Sequence, residues 1–173
     1  MAQPAKRRRL RAGLLVASVL VVGSLRATPA QMAVLHKQAP EFVRNDLSGR
    51  SVDLNAYRGK VVLLNFWATW CGPCQVELPR FSVWQKQYRR AGLQVIAVSM
   101  DDESTGVRTV VRKLKLDFPV VMGDEKLGTL YGGILGLPVT FLIGRDGKVD
   151  ARIGGGADLQ ALESRINQLL AQH

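Results

Sequence analysis

Apolar residues in this chain follow two patterns, short unbroken runs and longer stretches with one apolar residue every three or four positions, and the two alternate along most of its length. Residues 61–67 (VVLLNFW) and 93–100 (LQVIAVSM) are near-continuous apolar runs, which suit strands covered on both faces. Between them, residues 74–90 carry Val76, Leu78, Phe81, Trp84 and Tyr88 at helical spacing, and Ala91-Gly92 supplies a stop. Residues 106–116 place Val107, Val110, Val111 and Leu114 on one helical face. A short strand is expected over 118–122 and a short helix over 126–131. Residues 139–143 and 149–153 flank Arg145-Asp146-Gly147, a hairpin turn signal. Leu159, Leu162, Ile166 and Leu169 mark a terminal helix over 159–170. Upstream, 42–44 and 51–54 flank the turn residues Asp46-Leu47-Ser48-Gly49, which predicts a small hairpin. Strands that alternate with helices and finish in a hairpin give an α/β sandwich on a mixed central sheet.

One apolar stretch stands outside this plan. Residues 12–25 are 14 positions without a charge, preceded by Lys6, Arg7, Arg8, Arg9 and Arg11 and followed by Arg26. A basic flank, an apolar centre of this size and small residues at Ala27, Thr28 and Ala30 make an export signal. As a helix the stretch covers roughly 21 Å, against roughly 30 Å of bilayer hydrocarbon. Snorkelling by Arg11 and Arg26 makes up part of that difference. No clean Ala-x-Ala site is present, so a cleaved signal peptide and a retained membrane anchor both stay open for 1–30. Either way the basic flank stays in the cytoplasm and the remainder is exported to the periplasm or another extracytoplasmic space. Residues 31–37 read as a linker and 38–173 as one domain.

This segment also changes the meaning of the charge. The chain has 24 basic and 14 acidic residues, a formal net charge of +10, but six of the basic residues and none of the acidic ones fall within 1–30. The rest keeps a modest excess, and Arg108, Arg112, Lys113 and Lys115 make a solvated helix face rather than a nucleic-acid patch.

The two cysteines, Cys71 and Cys74, form a Cys-Gly-Pro-Cys motif where the strand over 61–67 gives way to a helix. Disulfide exchange needs an accessible thiolate and a resolving thiol beside it. Cys71 sits where strand gives way to helix, near the N-cap, where free backbone N–H groups and the helix dipole stabilise a thiolate. Cys74 is one helical turn on, within bridging distance. Gly72 and Pro73 hold the turn, and proline there loses no helical hydrogen bond. Cys71 is thus the expected nucleophile and Cys74 the resolving thiol. The structural alternatives are weak. A zinc site wants four ligands, and the histidines, His36 and His173, lie near the chain ends. A staple closing so short a loop stabilises little. No metal and no cofactor is expected. Glu77, three residues after Cys74 on the same helical face, is a candidate proton acceptor for its thiol. Asn65 cannot titrate and is expected as a hydrogen-bonded core residue. Pro138 opens the strand over 139–143 without costing a ladder bond. A cis Leu137–Pro138 bond would leave the Leu137 backbone free to pair with a substrate strand, although general frequencies favour trans.

As a set, FWATWCGPC with Pro79 five residues after Cys74, the lead-in APEF…DLSGRSVDLNAYRGKVVLLNFWATWCGPC, Glu77 and LGLPVTFLIGRDGKV resemble the exported thioredoxin-like thiol:disulfide reductases of the TlpA, ResA and cytochrome c maturation type, over about residues 38–170. The resemblance implies a thioredoxin fold with an added N-terminal hairpin and a central insertion over about 101–126. It implies a cis Leu137–Pro138 bond facing the cysteines, reversing the expectation from general frequencies, and a Glu77 that tunes them. Asn65 stands where cytosolic thioredoxins place a buried aspartate, which makes Glu77 the expected proton acceptor. Trp70, Gly72, Pro73, Leu137 and Gly154 are the expected substrate-binding positions.

The expected function is an extracytoplasmic protein-disulfide reductase acting through Cys71 and Cys74. Apocytochrome c haem-binding cysteines are the implied target and a membrane thiol transporter the implied electron donor. No nucleic acid is expected as a partner, and the chain is expected to act as a monomer. Three alternatives have weaker support. A disulfide oxidase or isomerase is disfavoured by Gly72-Pro73, the dipeptide of a reducing couple. A thiol peroxidase is disfavoured by Ala68 and Leu64, where such enzymes carry Thr and Pro. A copper-delivery module lacks a methionine or distal histidine cluster beside the cysteines.

Overall fold

A computed structural model describes residues 33–172. Residues 1–30, expected as an export signal or anchor, lie outside the described residues, and among the described residues no helix is long and apolar enough to cross a membrane. Among the described residues the first elements are a hairpin of β1 (Val43–Asn45) and β2 (Ser51–Asp53), followed by a 3-10 turn over Leu54–Tyr57. Then come β3 (Val61–Trp67), α1 (Gly72–Tyr88), β4 (Leu93–Ser99), α2 (Ser104–Leu114), β5 (Val120–Met122), α3 (Glu125–Leu130), β6 (Val139–Ile143), β7 (Val149–Gly154) and α4 (Leu159–Leu170). Five strands form one mixed sheet in the order β5-β4-β3-β6-β7. β3, β4 and β5 run parallel, whereas β6 and β7 are antiparallel to their neighbours.

β3 is central and buried at every position, which is why its sequence shows no alternation. Its side chains still divide by face. Val61, Leu63 and Trp67 join a core with Leu78, Phe81 and Trp84 of α1, Val107 of α2 and Leu162, Ile166 and Leu169 of α4. Val62, Leu64 and Phe66 join a second core with Phe42, Val52, Leu54, Leu127, Tyr131 and Phe141, under the hairpin and α3. The central insertion supplies α2 on the first face and β5 at the sheet edge. The hairpin turn docks there, with Leu47 N–H donating to Val120 O at 2.9 Å. At the other edge, His36 N–H donates to Val149 O at 2.8 Å and Val149 N–H to Lys37 O at 2.9 Å, so residues read as linker lie along β7.

The element order agrees with the sequence reading, and the differences have local causes. α1 starts at Gly72 because Cys71 serves as its N-cap. Val76, one of the apolar residues that gave α1 its helical spacing, is 71% exposed. The buried stripe passes through Cys74, Glu77, Leu78, Phe81, Trp84 and Gln85, and Val76 lies off it, nearly opposite Leu78 at 100° per residue. Gln85 earns its buried place by bonding the start of β4. Its Oε1 accepts from Val95 N–H at 2.6 Å and its Nε2 donates to Leu93 O at 3.3 Å. β5 begins at Val120, after Pro119, which has no N–H to donate.

Candidate active site

The end of β3 turns into α1 through Ala68, Thr69, Trp70 and Cys71. Cys71 N–H donates to Ala68 O at 3.1 Å, which closes the turn. Cys71 is in extended conformation at the helix N-cap, and its Sγ accepts from Cys74 N–H at 3.3 Å. A sulfur anion at this position meets a free N–H and the positive end of a 17-residue helix dipole. The two cysteines are joined as a disulfide, with Cα atoms 5.3 Å apart. Both are buried, Cys71 at 4% exposure and Cys74 at 0%, so the small open surface of the pair belongs to Cys71. Gly72 and Pro73 are exposed beside them, and the Trp70 indole is 72% exposed.

Glu77 is buried on the same helix. Its Oε1 accepts from Ala157 N–H at 2.6 Å, and Oε2 has no partner among the described residues. Burial raises its pKa above the ordinary carboxylate value, and the Ala157 bond offsets only part of that rise. The Leu137–Pro138 bond is cis, as the resemblance implied. Pro138 is buried, and Leu137 packs against the core that contains both cysteines. Pro138 O accepts from Gly155 N–H at 3.0 Å, so the turn after β7 braces the proline loop. Gly154 ends β7 opposite Val139 and is exposed. The same turn thus reaches Pro138 through Gly155 and Glu77 through Ala157, joining elements that are 80 residues apart in sequence.

Asn65 is buried on the α1 face of β3, and its Nδ2 donates to Thr140 Oγ1 at 2.9 Å, so it is hydrogen-bonded within the core. Sequence reasoning missed four contributors: Thr140, Ala157, Thr69 and Asp101. Ala157 acts through its backbone, which leaves no trace in residue type. Asp101 accepts from Thr69 across 32 positions, a pairing no local pattern reveals.

The AhpC/TSA family matches residues 35–152. The thiol-disulfide oxidoreductase ResA of Bacillus thuringiensis subsp. konkukian is 36% identical over 144 residues, covering 82% of each chain. ResA of Bacillus cereus is 38% identical over 135 residues, covering 77% of each. Among solved structures, a protein assigned as thiol:disulfide interchange protein DsbE from Chlorobium tepidum superposes with a TM-score of 0.72 at 34% identity, covering 78% of this chain and 96% of its own. With a Cys-x-x-Cys disulfide at the head of α1 in a thioredoxin fold, the chain belongs to the AhpC/TSA family and, within it, to the ResA-type thiol-disulfide oxidoreductases.

Proposed function

We propose that the chain is an extracytoplasmic reductase of protein disulfides, with Cys71 as nucleophile, Cys74 as resolving thiol and Glu77 as proton acceptor. The observation that carries the division of labour is the placement of Cys71 at the N-cap of α1, with what little exposure the pair has, against Cys74 wholly buried inside the helix. In the reduced chain the Cys71 thiolate attacks one sulfur of a partner disulfide. The partner S–S bond breaks, a mixed disulfide forms and one partner thiolate leaves. Cys74 then passes its proton to Glu77 and attacks the Cys71 sulfur. The mixed disulfide breaks, the second partner thiolate leaves and Cys71–Cys74 closes. The partner gains two electrons and takes up two protons; the dithiol loses the two electrons, one proton when Cys71 ionises and one through Glu77, which then releases it. A carboxylate whose pKa is raised by burial is a better match for a thiol proton than an exposed one.

Trp70, Gly72, Pro73, Leu137 and Gly154 form the partner-binding surface, with the Leu137 backbone beside the cis peptide pairing with an extended segment. Export through 1–30, as signal peptide or inner-membrane anchor, puts this reductant in an oxidising compartment. There it needs a membrane thiol transporter to restore the dithiol, and apocytochrome c cysteines are the substrate that fits the resemblance. The test is a Cys74→Ser chain expressed in its native host. It should accumulate a mixed disulfide on Cys71 whose partner mass spectrometry identifies, and Cys71→Ser should capture nothing. A Cys71–Cys74 potential near about −120 mV, that of a strong oxidant, would overturn the reductase direction.

A further inference from the structure

Thr69, two residues before Cys71, has all its polar atoms engaged. Its N–H donates to both carboxylate oxygens of Asp101, at 2.9 and 3.2 Å, and its hydroxyl donates to Asp101 Oδ1 at 2.5 Å. Its carbonyl accepts from Gln75 Nε2 at 2.7 Å. Asp101 is itself fixed to the end of β4. Ser99 Oγ donates to its Oδ2 at 2.7 Å, and Asp101 N–H donates back to Ser99 Oγ at 3.2 Å. Ser99 is fully buried and pairs with Trp67 across the sheet. The bonds form a chain from β4 through Asp101 and Thr69 to Gln75 in the first turns of α1. The bond between Gln75 and Thr69 closes residues 69–75, and both cysteines with them, into a ring anchored on the sheet.

We propose that Asp101 and Thr69 are positioning residues of the redox centre: the Asp101 clamp on Thr69 holds Cys71 at the N-cap of α1. The clamp does not touch sulfur. It fixes the backbone on which the Cys71 thiolate finds the Cys74 N–H and the helix terminus, and it resists the pull of a partner in the mixed disulfide. A small displacement of a reacting atom costs far more in rate than in stability. The inference rests on Cys71 being the nucleophile.

The clamp and simple electrostatics predict opposite signs. Removing a carboxylate near a thiolate favours the thiolate and lowers the thiol pKa, whereas releasing the N-cap geometry raises it. The ionisable groups on the elements that meet here include Cys74 and Glu77 on α1, Asp101 after β4, with Asp102 and Glu103 exposed beyond it, and Arg152 on β7, whose guanidinium lies beside Gly154. The experiment measures the pH profile of Cys71 alkylation by iodoacetamide in the reduced full chain, together with the rate of reduction of a protein disulfide. Asp101→Ala and Thr69→Val should each move the alkylation midpoint upward by about half a pH unit or more and slow reduction about tenfold. Thr69→Ser, which keeps the hydroxyl, should behave as wild type. The double variant should be no worse than Asp101→Ala alone, because both break one linkage.

A downward or absent shift in Asp101→Ala, or additive losses in the double variant, overturns the clamp. Should Asp101→Ala fail to fold, the comparison of Thr69→Val with Thr69→Ser decides, and equal profiles overturn it. A wild-type chain alkylated first at Cys74 overturns the nucleophile assignment, and the clamp falls with it. A wild type alkylated at Cys71 beside unchanged variants removes the clamp alone.

Discussion

The two ends of the sheet treat polar groups in opposite ways. At the end remote from the cysteines, Arg145 in the β6–β7 turn gathers four loose carbonyls. It donates to Gly59 O at 2.8 Å, Ala91 O at 3.0 Å, Gln172 O at 3.0 Å and Leu170 O at 3.1 Å. One guanidinium thereby ties the entries to β3 and β4 to the C-terminus of α4, where a cation also suits the helix dipole. Gly92 makes room for it: its φ is +102°, and a Cβ there would lie 2.9 Å from the guanidinium. At the redox end, Glu77 Oε2 is buried without a partner among the described residues and Trp70 stands in solvent. At the first end the loose carbonyls are gathered and serve the fold. At the other, beside the engaged Thr69 and Asp101, Glu77 Oε2 and the Trp70 indole leave bonding capacity and apolar surface open.

Each end is accordingly expected to fail in its own way. The largest effect belongs to Cys71→Ser, which should reduce disulfide exchange to background with an unchanged urea midpoint apart from the lost bridge, and a coupled reductase assay reads it directly. Arg145→Ala comes next. It should lower stability by about 2 kcal/mol, because four carbonyls lose a charged donor that is itself partly solvated. Its exchange rate should match wild type, and a slowed rate in folded Arg145→Ala would break the division between the ends.

Glu77→Gln should slow the Cys74 step about tenfold, read as longer-lived mixed disulfide in stopped-flow mixing. It should also flatten the pH dependence of stability. The folded pKa of Glu77 lies above its unfolded value, so the folded state holds more protons between the two. Stability from this group is full below the ordinary carboxylate pKa and is lost as pH rises through the raised one. Denaturation of wild type and Glu77→Gln across that window checks the sign. The smallest effect is expected for Trp70→Ala. An indole 72% exposed contributes little to folding, so stability should change by under about 0.5 kcal/mol, while reduction of a protein disulfide slows about threefold and that of a small disulfide stays the same.

Much of this molecule is set by local chemistry along the chain. β3 and α4 have the bounds their apolar patterns predict, because a strand buried on both faces and an amphipathic helix each write their period into sequence. The redox pair was legible for the same reason: an N-cap cysteine and its partner one turn later are neighbours in sequence and in space. The sequence pattern alone did not place Val76, since apolar type at roughly helical spacing does not reveal phase when Glu77 and Gln85 take buried positions.

Long-range contacts required the fold. The cis state of Leu137–Pro138, which residue frequencies opposed, came from resemblance and from the packed loop. The Ala157 bond to Glu77, the Asp101 clamp on Thr69 and the four carbonyls on Arg145 join residues distant along the chain. Several of them act through the backbone. Sequence by itself determined where the two cysteines meet at a helix terminus, because that depends on one local segment. Tertiary structure alone decided what surrounds it, because burial and hydrogen-bond partners are properties of the assembled layers and not of any single segment.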